Sequence, residues 1–324
     1  MEPLLVQLRA AAEPTRLRLL ALAARGAFCV TDFTDILAQS QPRLSRHLRL
    51  LCEAGLLARA REGAEVRFAL PGGEAGALIA ALLARLPEDD ATLAADRRQA
   101  ARVLSERARA ASESFRRQGA DWDEMRALGL PAAEVERTLL AMLPAGRIGR
   151  LLDIGTGTGR LLELLAPRIE AGTGIDASRA MLALARARLA RAGIGHCAVR
   201  LGDMYRLPLA DETFDVVLFH MVLHHAENPE GAIAEAARVL HPGGTLVVVD
   251  LAAHDPADAP PLAHRWPGFD DAAVTALLDE AGLVPGPARA VPGPIEVRLW
   301  SARRPVLTER QPASGRIVHP ALSF

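Results

Sequence analysis

Residues 151–160 read LLDIGTGTGR, an apolar run that passes into a turn with three alternating glycines and then into helical periodicity. The apolar run predicts a buried strand, and a glycine-rich turn between a strand and a helix lets the backbone approach a nucleotide-like ligand. A dinucleotide fingerprint would be G-x-G-x-x-G, whereas this turn is G-x-G-x-G and follows the acidic Asp153 by two positions. The spacing therefore favours a nucleotide-like ligand other than NAD.

Strand-like and helical segments alternate on the C-terminal side of this turn. Strand patterns occupy 172–176, 198–203, 214–220 and 243–251, and helical patterns begin at Arg160, Arg179 and Pro229. Such an alternation predicts an α/β fold with a parallel sheet. A predicted helix at 270–281 and a predicted strand at 295–302 fit the edge of that sheet.

Two more carboxylates stand at the ends of predicted strands. Asp176 ends the strand after the glycine turn, where a carboxylate can accept hydrogen bonds from both hydroxyls of a ribose. Asp203 ends a later strand and could accept from an adenine amino group, while Met204 packs on the ring. With Asp153, these side chains predict one nucleoside site at this edge of the sheet.

Two longer segments extend the pattern, LPLADETFDVVLFHMVLHHAENP at 207–229 and EAARVLHPGGTLVVVD at 235–250. Together with the glycine turn they resemble the class I S-adenosylmethionine-dependent methyltransferases of the ubiquinone-biosynthesis-like branch, over about residues 146–303. The resemblance implies a Rossmann-like, mostly parallel sheet with helices on both faces. It also implies S-adenosylmethionine or S-adenosylhomocysteine as the cofactor and an unidentified small-molecule methyl acceptor.

The same resemblance assigns each part of the cofactor to particular site residues. It assigns the ribose to Asp176 and the adenine to Asp203 with Met204. It assigns the methionine end to Asp153 and to the turn residues Gly155, Thr156, Gly157 and Gly159.

Three histidines lie at the end of the predicted strand 214–220 and after it. His220, His224 or His225 could take a proton from a methyl acceptor, and His220 is the candidate catalytic base beside the cofactor. The alternative interpretation is structural, because histidines commonly shape this loop in the methyltransferase family.

Residues 119–123 resemble the helix that caps the cofactor in many relatives. Trp122 in this segment is either a lid over the cofactor or a core side chain. The arsenite methyltransferases of the superfamily need several cysteines, and the methyltransferase-like region has only Cys197. Arsenic is therefore disfavoured as the substrate.

Residues 40–51, SQPRLSRHLRLL, predict a second functional element. Ser40 as an N-cap and a proline in the first turn predict the start of a helix, whose leucines recur on one face. The opposite face is rich in arginine and has no acidic residue before Glu53. A local positive patch on a chain with net charge −1 suits DNA, because guanidinium groups bind phosphates and guanine edges.

The stretch 40–57 resembles the recognition helix and following strand of the ArsR/SmtB winged-helix repressors, and the resemblance covers about residues 1–86. It implies a homodimer built from the first helix and the helix 74–86, which binds palindromic double-stranded operator DNA in successive major grooves. The candidate DNA-binding residues are Gln41, Arg43, Ser45, Arg46, His47 and Arg49. The family's C-x-C metal site is absent, since only Cys29 is present there, so no metal site is expected.

The remaining segments connect these two regions. The pattern predicts a β-hairpin at 56–70 and a helix of about 28 residues from Asp90, which is either a strut between domains or a solvated helix along the second domain. We predict four parts, a winged helix-turn-helix domain at 1–86, a helical linker or cap at 87–144, a methyltransferase domain at 145–304 and a flexible tail at 305–324. The predicted fold class is α/β with a mostly α N-terminal winged helix-turn-helix.

Composition excludes several classes of protein. All 38 basic residues are arginine, so a P-loop ATPase, a protein kinase or a pyridoxal-phosphate enzyme is excluded for want of a lysine. The three cysteines form no C-x-x-C pair, and no apolar run approaches the ~20 residues of a membrane span. A cytoplasmic protein without membrane insertion is expected.

Two functions remain open at this level. In the first, the chain is a transcription regulator whose DNA binding is modulated by S-adenosylmethionine or S-adenosylhomocysteine. In the second, it is an active small-molecule methyltransferase whose winged helix controls genes of its own pathway. Methylation of DNA lacks support, because no base-flipping motif of the Asn-Pro-Pro-Tyr type is visible.

Overall fold

The computed structural model describes residues 2–62, 65–87, 89–117, 125, 128–255 and 265–306, with the backbone alone for 62 and 108–117. The N-terminal region is helical with a small antiparallel sheet in the order β1-β3-β2. Its elements are α1 Glu2–Ala11, α2 Pro14–Ala23, β1 Phe28–Cys29, α3 Val30–Leu37, α4 Gln41–Glu53, β2 Ala58–Glu62, β3 Glu65–Ala69 and α5 Gly73–Leu83. The predicted hairpin is therefore present as β2 and β3, the wing that follows α4.

Helix α4 has the predicted two faces. Leu44, Leu48 and Leu51 are buried in the core of the N-terminal region, because they recur at the spacing of one helical face. Ser40 occupies the N-cap position with extended backbone, but its side chain makes no capping hydrogen bond. The start of α4 thus rests on the proline in its first turn and on the buried leucines.

Helix α6, Ala91–Arg117, is the predicted long helix and has 27 residues. Ala100, Val103 and Leu104 are buried in the same core as α2, α3 and α4. The helix also packs along α9, Arg179–Arg191, in the α/β region. Helix α6 thus connects the two regions and also lies along the second one, but it is not simply solvated, because one face is buried between them.

The second region is a mostly parallel sheet in the order β10-β11-β8-β7-β4-β5-β6, with β9 paired to β11. Its strands are β4 Ile148–Ile154, β5 Ile169–Asp176, β6 Cys197–Leu201, β7 Phe214–His220, β8 Leu240–Leu251, β9 Val284–Pro285, β10 Arg289–Val291 and β11 Val297–Arg303. Strand β11 is antiparallel to β8 and lies inside β10, so the predicted strand 295–302 is not at the edge. The short β10 occupies that edge instead.

Helices cover both faces of this sheet, as predicted. They are α7 Ala132–Met142, α8 Arg160–Leu165, α9, α10 Pro229–Val239 and α11 Asp271–Glu280. Leucines of α8 and α9 belong to one apolar core, whereas α10 and α11 contribute to a second core on the other face. Strand β4 pairs in parallel with β5 on one side and β7 on the other, a topological switch point at which α/β sheets bind ligands.

In the described part of the chain, none of the helices combines the length and apolar character needed to cross a bilayer.

Candidate functional site

The glycine turn lies where β4 ends at the switch point. Gly155, Gly157 and Gly159 all have positive φ, between 52° and 75°, a region that glycine enters without steric cost. A Cβ on Gly155 would lie 2.3 Å from Cγ2 of Val222, and one on Gly159 would lie 3.1 Å from Cβ of Ala185. Beside Gly157, in contrast, the nearest atom to such a Cβ would be 4.0 Å away. Two glycines serve packing, and Gly157 leaves its backbone accessible to a ligand.

Asp153 lies at the base of the turn with 2% of its surface exposed. Its carboxylate accepts a hydrogen bond of 2.6 Å from the Thr156 hydroxyl. Burial raises the pKa of Asp153 to about 7, and the charge of Asp176 adds to the shift. Asp153 therefore titrates near neutral pH, where a positively charged ligand would favour its ionised form.

Asp176 ends β5, two residues after Gly174, which is the register partner of Asp153 in β4. Its carboxylate accepts N–H groups of Gly157 at 2.8 Å and of Ser178 at 2.7 Å. Burial raises the pKa of Asp176, and these two hydrogen bonds oppose the shift. The side chain thus joins the glycine turn to the start of α9.

Asp203 and Met204 follow β6, which is the neighbour of β5 in the sheet. Asp203 is exposed and accepts a hydrogen bond of 3.0 Å from the backbone N–H of Tyr205. Met204 is partly buried against an apolar core of the sheet. Because β4, β5 and β6 are parallel, their three aspartates lie along one edge of the sheet.

His220 ends β7 on the other side of β4. Its Nε2 is buried and has no hydrogen-bond partner in the described part of the chain. Burial lowers the pKa of His220, while the charges of Asp250 and Glu136 oppose that shift. A neutral imidazole with a vacant nitrogen can accept a proton or a hydrogen bond at neutral pH.

His224 occupies a buried position in which its structural interpretation has direct support. It is fully buried, and its Nδ1 lies 2.6 Å from Oδ1 of Asp250. Oδ2 of the same carboxylate accepts the backbone N–H groups of Leu223 at 2.9 Å and His224 at 3.2 Å. His225 is exposed and lies against the His224 ring at 4.2 Å between centroids. Asp250 therefore holds the 223–225 turn, a role that sequence reasoning missed although Asp250 lies near the end of a predicted strand.

Trp122 lies outside the described residues. A different tryptophan, Trp266, covers the turn after β7, since its Nε1 donates to the Ala226 carbonyl at 2.8 Å. In addition, the carbonyl of His224 accepts the backbone N–H of Trp266 at 3.2 Å. The signal for this contact was weak in the sequence, because 40 residues separate Trp266 from Ala226.

The basic face of α4 is exposed, as the predicted DNA-binding role requires. Its exposed members are Gln41, Arg43, Ser45, Arg46 and Arg49. The side chain of His47 is 14% exposed and lies 3.6 Å from the Glu13 carboxylate, measured from Nδ1. The structure therefore places His47 on the inner flank of α4, apart from the other candidates. No cluster of three or more potential metal ligands occurs among the described residues.

Protonation of Asp153 gives a prediction for stability. We expect the contribution of the Asp153 carboxyl to the free energy of unfolding to be fully present below about pH 4, where an unfolded aspartate is also protonated. This stability is lost as the pH rises through about 7, because the folded carboxyl retains its proton up to that pH. Urea unfolding of the wild type and of Asp153→Asn across this range measures the effect. Because asparagine does not titrate, a difference in unfolding free energy that stays constant with pH would contradict the assignment.

Two family models match the chain. Residues 152–248 match the model described as "Methyltransferase domain", and residues 13–59 match "Bacterial regulatory protein, arsR family".

Curated relatives are similar to the second region. A phosphatidylethanolamine N-methyltransferase of Cereibacter sphaeroides is 40% identical over 36% of this chain and 56% of its own length. A demethylmenaquinone methyltransferase of Tropheryma whipplei is 38% identical over 38% of this chain and 50% of its own length. The chain spans about half the length of these curated relatives. Among solved structures, a putative methyltransferase of Bacillus halodurans C-125 has a TM-score of 0.48 at 20% identity, covering 54% of this chain and 100% of that one.

Proposed function

Because the chain joins an arsR-family helix-turn-helix region to a methyltransferase domain, we propose that it is a DNA-binding regulator that responds to S-adenosylmethionine or S-adenosylhomocysteine. The observation that carries this proposal is the continuous packing from the glycine turn through α9 and α6 to the helix-turn-helix. The turn lies close to α9, since a Cβ on Gly159 would be 3.1 Å from Cβ of Ala185, and α9 packs along α6. A ligand at the turn therefore acts on elements that support the DNA-binding face.

Ion pairs join α6 to the helices beneath α4. Arg107 of α6 lies 2.5 Å from the carboxylate of Asp32 in α3, which is 2% exposed. Arg18 of α2 donates two hydrogen bonds of 2.6 Å to Asp96 of α6. Buried or partly buried pairs of this kind are orientation-dependent, so a shift of α6 is transmitted to α2 and α3.

The residues at the switch point fit a methyl donor. The accessible backbone at Gly157 and the carboxylate of Asp176 suit a ribose and its neighbours, and the ionisable Asp153 suits a positively charged ligand. In this assignment Asp153, Gly155, Thr156, Gly157 and Gly159 hold the methionine end. Asp176 holds the ribose, and Asp203 with Met204 holds the adenine. When bound, S-adenosylmethionine supplies an electrophilic methyl group.

A working methyltransferase is the second candidate function, and the vacant Nε2 of His220 favours it. Methyl transfer depends mainly on positioning in a water-excluding cleft, with a base needed only where the acceptor loses a proton. His220 would receive that proton at Nε2. Transfer of labelled methyl groups to small molecules of a cell extract tests this function, and its loss in His220→Ala assigns the base. No transfer by protein that binds the donor would contradict it.

A homodimer through α1 and α5 is part of the proposal. Leu4, Leu5 and Leu8 of α1 lie on one side of the helix and are between 37% and 47% exposed, which leaves an apolar face unburied within one chain. A second copy of the chain would cover this face in a dimer. The two α4 helices of such a dimer would enter successive major grooves if they lay about 34–36 Å apart. Selection from random duplexes is then expected to recover an inverted repeat, and sedimentation to give a dimer.

The regulator proposal is tested by DNA affinity in three states. The selected duplex is titrated with the protein alone, with S-adenosylmethionine and with S-adenosylhomocysteine. Allosteric coupling typically amounts to about 1–3 kcal/mol, so we expect affinities that differ about fivefold or more between states. Equal DNA affinities under saturating ligand would contradict the sensor role. DNA binding itself is tested separately by the selection experiment.

We expect Arg46→Ala to weaken binding to the duplex and to lower its salt dependence. A guanidinium that binds one phosphate contributes about 0.9 to the slope of log affinity against log salt concentration. Arg46 is exposed on the basic face of α4, whereas Arg289 is exposed on β10 of the sheet region. Gel shifts at several salt concentrations should therefore separate Arg46→Ala from the control Arg289→Ala. If Arg46→Ala changes neither the slope nor the affinity, Arg46 does not contact the DNA.

A further inference from the structure

A cavity of about 360 Å³ lies between the helix-turn-helix region and the methyltransferase domain. Its walls come from α2, from the end of α5 and the loop after it, from α6, and from the C-terminal end of α9 with the loop after it. Small-molecule sites typically have volumes of about 300–1,000 Å³ and form preferentially between domains. The cavity therefore has the size and position of a ligand site.

This cavity is separate from the methyl-donor site. It opens at the C-terminal end of α9, whereas Asp176 and the glycine turn lie at the N-terminal end of that helix. Helix α9 has 13 residues, which places its two ends about 20 Å apart. A ligand in the cavity thus contacts neither the three aspartates nor His220.

The charge of the cavity lining is positive. Arg18, Arg25 and Arg97 line it, and Asp96 is the acidic member among the described lining residues. Arg18 and Asp96 neutralise each other through their paired hydrogen bonds. The guanidinium of Arg25 is exposed and forms no ion pair or hydrogen bond with the part of the chain that the structure describes. Arg25 is therefore available to an anion.

The rest of the lining is apolar. Its larger apolar members are Leu22, Leu83, Leu86, Leu93 and Ile194. An apolar wall with a guanidinium at its margin complements an amphipathic anion, whose body is buried while its charged group pairs with arginine.

We propose that this interdomain cavity binds a small organic acid, with an apolar body against the leucines and a carboxylate on Arg25. The ligand touches α2 on one side and the loop after α9 on the other, so it bridges the two regions. They are already in close contact here, since a Cβ on Gly195 would lie 2.9 Å from the carbonyl oxygen of Ala24. The bound acid thereby strengthens an existing contact between the domains.

Calorimetric titration of the full-length protein tests the proposal without DNA. The probes are naphthaleneacetate and octanoate, each compared with its neutral amide. We expect at least one acid to bind with one site per chain and its amide to bind about tenfold more weakly, because a hydrogen bond to a charged group contributes at least that factor. Failure of both acids to bind, or equal binding of acid and amide, would overturn the proposal.

Variants locate the site. Arg25→Ala should weaken the acid about tenfold and leave the amide unchanged, whereas Arg289→Ala, an exposed arginine on β10, should change neither. Ala21→Leu, which adds volume to the α2 wall, should weaken both probes while the urea unfolding midpoint confirms folding. Binding that is unaffected by Arg25→Ala and Ala21→Leu would overturn the assignment.

A final titration distinguishes this site from the methyl-donor site. Saturating S-adenosylhomocysteine should leave the stoichiometry of the acid at one per chain. Displacement of the acid by S-adenosylhomocysteine to zero stoichiometry would overturn the separate site. Because the acid titration requires neither DNA nor the methyl donor, failure of the proposed function and failure of this inference are observed independently.

Discussion

Replacement of Asp176 by alanine is expected to weaken S-adenosylhomocysteine binding about 100-fold or more. In the proposed site, the Asp176 carboxylate would accept hydrogen bonds from two ribose hydroxyls, and hydrogen bonds to charged groups contribute about 1.5–3 kcal/mol each. Two such bonds correspond to at least about two orders of magnitude in affinity. Calorimetric titration measures the loss directly.

Two variants make this experiment interpretable. Asp176 also accepts the N–H groups of Gly157 and Ser178, so alanine removes support from the glycine turn as well as a ligand contact. Asp176→Asn keeps one acceptor oxygen at nearly the same volume and should show an intermediate loss. Asp279→Ala, an exposed aspartate on α11, should bind like the wild type. Unchanged affinity in Asp176→Ala would remove the central support for the methyl-donor site.

The second large effect is expected at Asp250. Asp250→Ala should lower the free energy of unfolding by about 3 kcal/mol or more, because several buried donors lose their acceptor at once. The carboxylate is fully buried, with His224 Nδ1 at 2.6 Å and the N–H groups of Leu223 and His224 as donors to it. Alanine leaves these groups buried without an acceptor, and each such group costs about 1–3 kcal/mol.

Urea unfolding at a fixed pH measures this loss. Asp250→Asn retains an oxygen for the backbone donors and loses the charge opposite His224, so it should be less destabilised than Asp250→Ala. Asp279→Ala again serves as the exposed control. In Asp250→Ala, a loss of unfolding free energy below about 1 kcal/mol would be no larger than that of an average point substitution. Such a result would show that the buried network contributes little to stability.

Asp250→Ala should also weaken ligand binding at the glycine turn. The turn held by Asp250 is directly preceded by a two-residue segment. It consists of Met221, which has a positive φ of 54°, and Val222, whose side chain fills the space above Gly155. Loss of the Asp250 contacts releases this segment from the glycine turn. We therefore expect weaker S-adenosylhomocysteine binding in Asp250→Ala protein that is still folded.

Much of the fold could be predicted because its signals are local. Strand β7 has the predicted bounds, and helix α10 begins at the predicted Pro229, because apolar periodicity and a proline in the first turn are local signals. The position of β11 could not be predicted, because its neighbours β8 and β10 are chosen by pairing across the sheet rather than by its own residues.

The candidate site divides in the same way. Glycine spacing located the turn, and strand ends located Asp153, Asp176 and Asp203. The burial of His224 against Asp250 was not predictable, because the two residues are 26 positions apart and each has an ordinary local sequence. The inward position of His47 was likewise not predictable, because its neighbour Glu13 is the N-cap residue of α2, far from His47 along the chain.

By itself the sequence determined the order of strands and helices, the two functional elements and the residue types that each offers, because backbone preference and periodicity are properties of short segments. The tertiary structure alone decided which side chains lose water and which charges meet. It raised the pKa of Asp153 to about 7, joined Arg18 to Asp96 across 78 positions and formed the interdomain cavity. Desolvation and ion pairing depend on neighbours that are distant along the chain, and only folding brings those neighbours together.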